Sequence, residues 1–285
     1  DDPLLNAGTG AALRLDGSAE LEVLVMDSSG RLGAAAAVRD VQHPVRLAFA
    51  AASSPHRLLV GEGAQRVAQW LALPESSART ARQRETYDRL VARFAPGHQQ
   101  RTDATAWGSG APGPGASAWQ AYLKPPLTPP PAAPDAGAEP PAPDAAPAEA
   151  SAAAVAVLVR SGPGAFAGAI ETGGAWLALP GSVGAIATPG AALHVASRGA
   201  VALAGPSEQL IAGALARRTY DKLLAFQSAR AAAAWAVAEV KGRPISVLVM
   251  DARNIVALSN ADMAWARADP EERDSTPSAA EGPPR

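Results

Sequence analysis

One residue of this 285-residue chain is set up for chemistry by its surroundings. A Pro/Ala-rich run without a Lys or Arg from Pro125 onward ends at Ala150, and Ser151 then leads directly into the strand-like run Ala154-Val155-Ala156-Val157-Leu158-Val159. Hydrolysis of the Ala150–Ser151 bond would free an α-amine on the residue that also carries a hydroxyl, so a single residue would supply both base and nucleophile. The junction reads equally as a plain interdomain linker followed by a strand whose first residue happens to be Ser.

Composition removes several other chemistries. There is no Cys, so disulfides, thiolate metal sites and a Cys nucleophile are excluded. His43, His56, His98 and His194 show no ligand spacing, so no metal is expected. No cofactor motif is read either. The formal net charge of -2 offers no basic footprint for nucleic acid. No apolar run reaches the roughly 20 residues of a membrane helix, so no membrane partner is expected and a cytoplasmic setting is favoured.

The elements that must position Ser151 fall into two halves. Ten of the 26 prolines lie between Pro125 and Pro147. Such a stretch cannot bury enough apolar surface to offset chain entropy, which predicts a disordered tether over 108–150. It separates a first half, 1–107, from a second, 151–269; the polar tail 270–285 is expected to fray. Apolar β-branched runs predict strands at 20–27, 154–159, 200–204 and 245–251. Val-Leu-Val-Met-Asp occurs at 23–27 and again at 247–251, each copy followed by turn residues and a second apolar run. Residues 155–170 repeat that hairpin pattern. Three hairpins apolar on both faces suggest stacked sheets. Helices are predicted from Pro44, across Tyr87, Leu90, Val91 and Phe94, and over 208–225. Helices between hairpins imply a layered α/β arrangement in which both halves build one domain.

Further residues carry a resemblance. They are Asp1-Asp2-Pro3-Leu4-Leu5-Asn6-Ala7-Gly8, Leu15-Asp16-Gly17, Glu20-Leu21, Met26-Asp27, His43-Pro44-Val45 and Gly61-Glu62-Gly63-Ala64. In the second half they are Thr172-Gly173-Gly174, Pro180-Gly181-Ser182-Val183-Gly184, Ala204-Gly205-Pro206-Ser207-Glu208 and Leu258-Ser259-Asn260. In this order they resemble the plant-type asparaginase / isoaspartyl peptidase family. The resemblance implies an αββα four-layer sandwich of the N-terminal-nucleophile hydrolase type. It implies a precursor cut into α and β subunits, a small amide or peptide substrate, and a homodimer of αβ units. The family's opening strand and following helices have no counterpart here, so an edge strand and apolar surface are expected to stand exposed.

The same resemblance assigns roles. Ser151 is the nearest candidate for the family's nucleophilic Thr, with Ala150–Ser151 as the cleavage junction; an ungapped alignment puts Ala154 there instead, without a hydroxyl. Thr172 matches a second catalytic Thr that orients the nucleophile, although a strand-end turn would also account for it. Asn6 matches an Asn near the active site and also suits an ordinary turn. The family grips a substrate carboxylate with Arg and its amine with Asp, where this chain has Ser182 and Ala185. Two lost charge-assisted contacts weaken recognition by roughly several hundred-fold. The family's oxyanion loop reads Ala204, Gly205, Pro206 and Ser207, with Pro206 removing a backbone donor. Two functions follow: an amidohydrolase of altered specificity or impaired activity, or an inactive paralogue kept for binding or assembly.

Overall fold

The computed structural model describes residues 2–76, 79–92 and 153–268. The expectations for the tether, for the tail and for Phe94 lie outside those residues.

The first half contributes strands β1 (Leu21–Asp27), β2 (Leu32–Val38) and β3 (Leu58–Val60), with helices α1 (Pro44–Ala52), α2 (Gly61–Trp70) and α3 (Ala81–Ala92). The second half contributes β4 (Val155–Gly162), β5 (Ala165–Thr172), β6 (Leu193–Ala196), β7 (Gly199–Ala204), β8 (Ser246–Met250) and β9 (Ile255–Ser259). Its helices are α4 (Ser207–Gly213), α5 (Leu215–Phe226) and α6 (Ala229–Glu239). The fold is α+β. One sheet runs β3-β2-β1-β5-β4 and the other β6-β7-β8-β9. Among the described residues only β2 and β3 pair in parallel.

Alternation on β1 explains the layering. Val23 and Val25 pack with Ala35, Leu47, Ala64 and Ala68 under α1 and α2. Leu24 points the other way, into a core shared with Phe166 and Ile170 of β5 and with Leu193, Val201, Leu203 and Val249 of the second sheet. Tyr220, Leu223, Ala232 and Ala236 bring α5 and α6 into that same core. Burial on both faces favours apolar residues at successive positions, which is why Val23–Met26 and Val247–Met250 read as unbroken runs.

The repeated pentapeptide has a local cause. Each copy ends in an Asp whose carboxylate closes the following turn. Asp27 Oδ1 accepts the Ser29 N–H at 2.9 Å, and Asp251 Oδ1 accepts the Arg253 and Asn254 N–H groups, each at 2.7 Å. Residues 208–225 form two helices rather than the single one predicted: the first ends at Gly213, and Ala214 between them adopts a left-handed φ of 44°. β4 is the sheet edge, with Val157 55% and Val159 49% exposed. Among the described residues no helix is long and apolar enough to cross a membrane.

The closest approach of α1 to its sheet is at Gly33, where a Cβ would run into the Ala48 carbonyl and the Ala52 backbone. Gly33→Ala should therefore cost about 1–3 kcal/mol by forcing the helix off the strand. Urea unfolding would show this as a lowered midpoint, whereas Gly30→Ala, with open space at its Cβ, should cost only the strain of its positive φ.

Candidate active site

The pairing of β1 with β5 positions the site. Their register sets Glu22 opposite Thr172 and runs to Asp27 opposite Ala167. Leu24 and Ile170 face the second sheet, so by the two-residue period Glu22 and Thr172 end that same inter-sheet face.

Thr172 is buried. Its Oγ donates to the Ala153 carbonyl at 2.6 Å and accepts the Gly174 N–H at 3.0 Å. Asn6 Nδ2 donates to the Gly174 carbonyl at 2.7 Å and to the same Ala153 carbonyl at 3.1 Å. Its Oδ1 accepts the Ala12 N–H at 2.8 Å, and its carbonyl accepts the Gly173 N–H at 3.0 Å. Asn6 is thus a clamp joining the N-terminal segment, the Thr172-Gly173-Gly174 turn and the entry to β4. The last ladder pair at this end of β4 is Val155 with Glu171, so the next residue outward, Ala154, falls opposite Thr172. Ala150 and Ser151 lie outside the described residues.

The other candidate positions assemble beside this turn through two residues the sequence reading did not single out, Arg14 and Glu22. Arg14 is 2% exposed and Glu22 1%. Arg14 Nη1 donates to Ser182 Oγ at 3.2 Å, and Nη2 donates to the Ser182 carbonyl at 3.4 Å and the Glu20 carbonyl at 3.5 Å. Arg14 also forms ion pairs with Glu20 Oε2 at 3.5 Å and Glu22 Oε1 at 3.6 Å. Glu22 Oε1 accepts the Gly184 N–H at 2.9 Å, and Glu20 Oε2 accepts the Gly181 N–H at 2.8 Å. Both carboxylates therefore pin the loop that holds Ser182. Ala185 is buried, and its N–H donates to Ser207 Oγ at 2.7 Å. Ala204 ends β7 and Gly205 is buried against Pro244 and Ile245, both delivered beside Ser207 by chain continuity.

Burial pushes the Glu22 carboxyl up from the usual range, while the Gly184 N–H and Arg14 pull it back. The Ala187 N–H adds to that pull, yet no hydrogen bond closes on Glu22 Oε2. Arg14 Nε is likewise buried without a hydrogen bond. A signal for these residues was present in the sequence: Glu20 and Glu22 interrupt an otherwise apolar strand, and charged side chains are almost never fully buried without a partner.

A groove of about 270 Å³ lies on the opposite face of the same sheet, lined by Leu5, Val23, Val45, Val157, Ala169 and Glu171 among others. It touches neither Thr172 nor the loop at Ser182. Glu171 lies one residue before Thr172 but faces away from it, into this apolar groove.

An α+β protein whose candidate site closes the inter-sheet face, at a Thr-Gly-Gly turn holding the start of a strand, can now be compared with known proteins. The chain belongs to the asparaginase family, whose sequence profile matches residues 1–276. It is similar to the plant-type L-asparaginase of Pyrococcus furiosus, 36% identical over 92 residues covering 32% of this chain and 30% of that protein. It is similar to the isoaspartyl peptidase of Salmonella typhimurium, 40% identical over 97 residues, 33% of this chain and 31% of that protein. In both, the match spans about a third of the relative's length. The plant-type L-asparaginase of Pyrobaculum calidifontis is 29% identical over 275 residues, covering 93% of this chain and 77% of that protein.

The Glu171 carboxyl is pushed up to about 7 by burial, against a weaker opposing pull from the Gly8 N–H. Between its ordinary 4.5 and about 7 the folded chain binds more protons than the unfolded one. Stability due to this group is therefore intact at low pH and lost as pH rises through that window. Glu171→Gln should flatten this loss and be more stable than the parent at pH 8 by on the order of 2–3 kcal/mol. Denaturant midpoints at pH 5 and pH 8 for both chains check it.

Proposed function

We propose that the protein is an amidohydrolase of the N-terminal-nucleophile type, acting on a small amide or isopeptide whose recognition differs from that of its relatives. The two halves would form one αββα body, cut between Ala150 and Ser151. Ser151 Oγ, oriented by Thr172, attacks the amide carbonyl while its freed α-amine takes the hydroxyl proton and passes it to the departing amine as the C–N bond breaks. Water then hydrolyses the acyl-Ser151 ester, and the Gly205 segment offers backbone donors to the oxyanion in both steps. The observation supporting this most directly is the double grip of Thr172 Oγ and Asn6 Nδ2 on the Ala153 carbonyl. Two residues of chain span at most about 7 Å, so a nucleophile at Ser151 would be able to reach the Thr-Gly-Gly turn. The relatives' printed names, L-asparaginase and isoaspartyl peptidase, support the amide chemistry.

A second reading rests on the strand register. Ala154 falls opposite Thr172, and a methyl group there can neither attack nor self-cleave. On that reading the fold is kept for binding or assembly.

Intact-mass analysis of the purified full chain separates the two. The hydrolase reading expects two fragments, the smaller starting at Ser151, and their loss in Ser151→Ala. Thr172→Ala should slow both cleavage and amide turnover by about 10²-fold or more, since a misplaced nucleophile costs that much. A single uncut species with no turnover of asparagine or β-aspartyl dipeptides establishes the second reading.

A further inference from the structure

The loop at 181–185 carries no charged side chain, yet a guanidinium and two carboxylates sit directly against it, one of them, Glu20, already paired with Arg39. Arg14 reaches Ser182 and Glu22 reaches Gly184. We propose that Arg14 and Glu22, delivered from before and within β1, form the zwitterion clamp of this site, recognising the α-carboxylate and α-ammonium of an amino-acid ligand. The inference rests on the placement of the site at the Thr172 turn.

Four observations carry it. First, the guanidinium is held by a pattern that imitates a carboxylate. Ser182 Oγ and the Ser182 carbonyl present two acceptors to Nη1 and Nη2 at 3.2 and 3.4 Å. Bonds from a guanidinium to an ionised carboxylate close to about 2.7–2.9 Å, so a ligand carboxylate displaces these long contacts to neutral acceptors with a gain. Second, Glu22 keeps unused capacity although almost fully buried: its Oε2 makes no hydrogen bond, while Arg14 Nε meets Glu20 Oε2 only as a long ion pair at 3.5 Å without a hydrogen bond. Unmet buried polar atoms are costly, and an ammonium donor would satisfy Glu22. Third, Arg14 and Glu22 are 3.6 Å apart, adjacent as the two charges of an α-amino acid are. Ligand and clamp then form a square of alternating charge. Fourth, the cover over this pair is slight. Gly181 and Val183 are exposed, Ser182 and Gly184 half-exposed, and Gly174 has no side chain where a Cβ would approach Arg14 Nη1 to 2.8 Å. Gly174 also donates to Thr172, so a ligand gripped here extends toward the reacting turn.

Calorimetric titration of the full chain with L-aspartate, and with succinate as the amine-free control, tests the clamp. L-Aspartate should bind, and succinate should bind at least about tenfold more weakly. Arg14→Ser and Glu22→Gln should each weaken L-aspartate binding by about tenfold or more, and Arg14→Lys, which keeps charge but loses the fork, should do likewise. Returning the guanidinium to the loop in Arg14→Ser/Ser182→Arg should recover most of the lost affinity. Thermal unfolding confirms that each variant folds; if Arg14→Ser does not, Glu22→Gln and Arg14→Lys decide. The proposal is overturned by a parent chain that binds no L-aspartate, by folded variants that bind it as the parent does, or by a folded double variant no better than Arg14→Ser. Intact mass keeps the two readings apart. An uncut chain that binds L-aspartate removes the hydrolase reading and leaves the clamp, while a cut, active chain indifferent to Arg14 and Glu22 does the reverse.

Discussion

The pairing of β1 with β5 is the constraint on which the structure depends. These strands lie more than a hundred residues apart in the chain, and six consecutive residue pairs lock them together. A one-residue slip would move every side chain to the other face of the sheet. It would turn Leu24 and Ile170 out of the inter-sheet core and place Val23 and Glu171 within it. The same slip would separate Glu22 from Thr172. Packing and site geometry are therefore fixed by a single register, and the apolar alternation that stabilises the core also aligns the polar residues at its end.

Those polar residues are unusual in how much charge they bury. Arg14, Glu20 and Glu22 are all nearly inaccessible, and Arg39 closes the cluster from outside with a 2.6 Å contact to Glu20 Oε1. An apolar set of similar volume would often be as stable or more so, because desolvating ions cancels much of their attraction. Stability alone gives little reason to keep such a cluster. Its position against the Ser182 loop, with backbone N–H groups of Gly181 and Gly184 drawn onto its carboxylates, makes it a device for shaping that loop.

Much of the scaffold was legible in the sequence. β-branched runs located the long strands, and Pro44 marked the start of α1 at its first residue. What escaped has identifiable physical causes. In α6, Ala-Arg-Ala-Ala-Ala-Ala-Trp-Ala-Val-Ala-Glu, alanine fills both faces, so no apolar period stands out. β3 has three residues and gains its definition from pairing with β2, not from its own pattern. The break at Ala214 has Gly213 just before it, but a lone Gly inside an apolar pattern is tolerated within helices and does not by itself end one. Within the candidate site, motif comparison singled out Asn6 and Thr172, which the structure brings together, and it marked Ser182 and Ala185 as positions where the family carries charge. It could not find Arg14 or Glu22, because a contact from a different segment leaves no trace in a comparison of like with like.

That last point bears on how divergence at this site should be understood. Counting substitutions position by position gives a site stripped of its ionic groups, and from that count a loss of function follows. Counting charges by place in space gives a different result, since one cation and one anion still adjoin the Thr172 turn. Chemistry selects for where a charge stands relative to the reacting atoms and is indifferent to which residue number supplies it. Electrostatic complementarity can thus survive the loss of every charged side chain in a loop, provided a neighbouring segment packs closely enough to replace them. Here the close packing comes from Gly174 and Gly184, whose missing side chains leave room for Arg14 and Glu22. The glycines of the inherited motifs are what allow the charges to come from elsewhere.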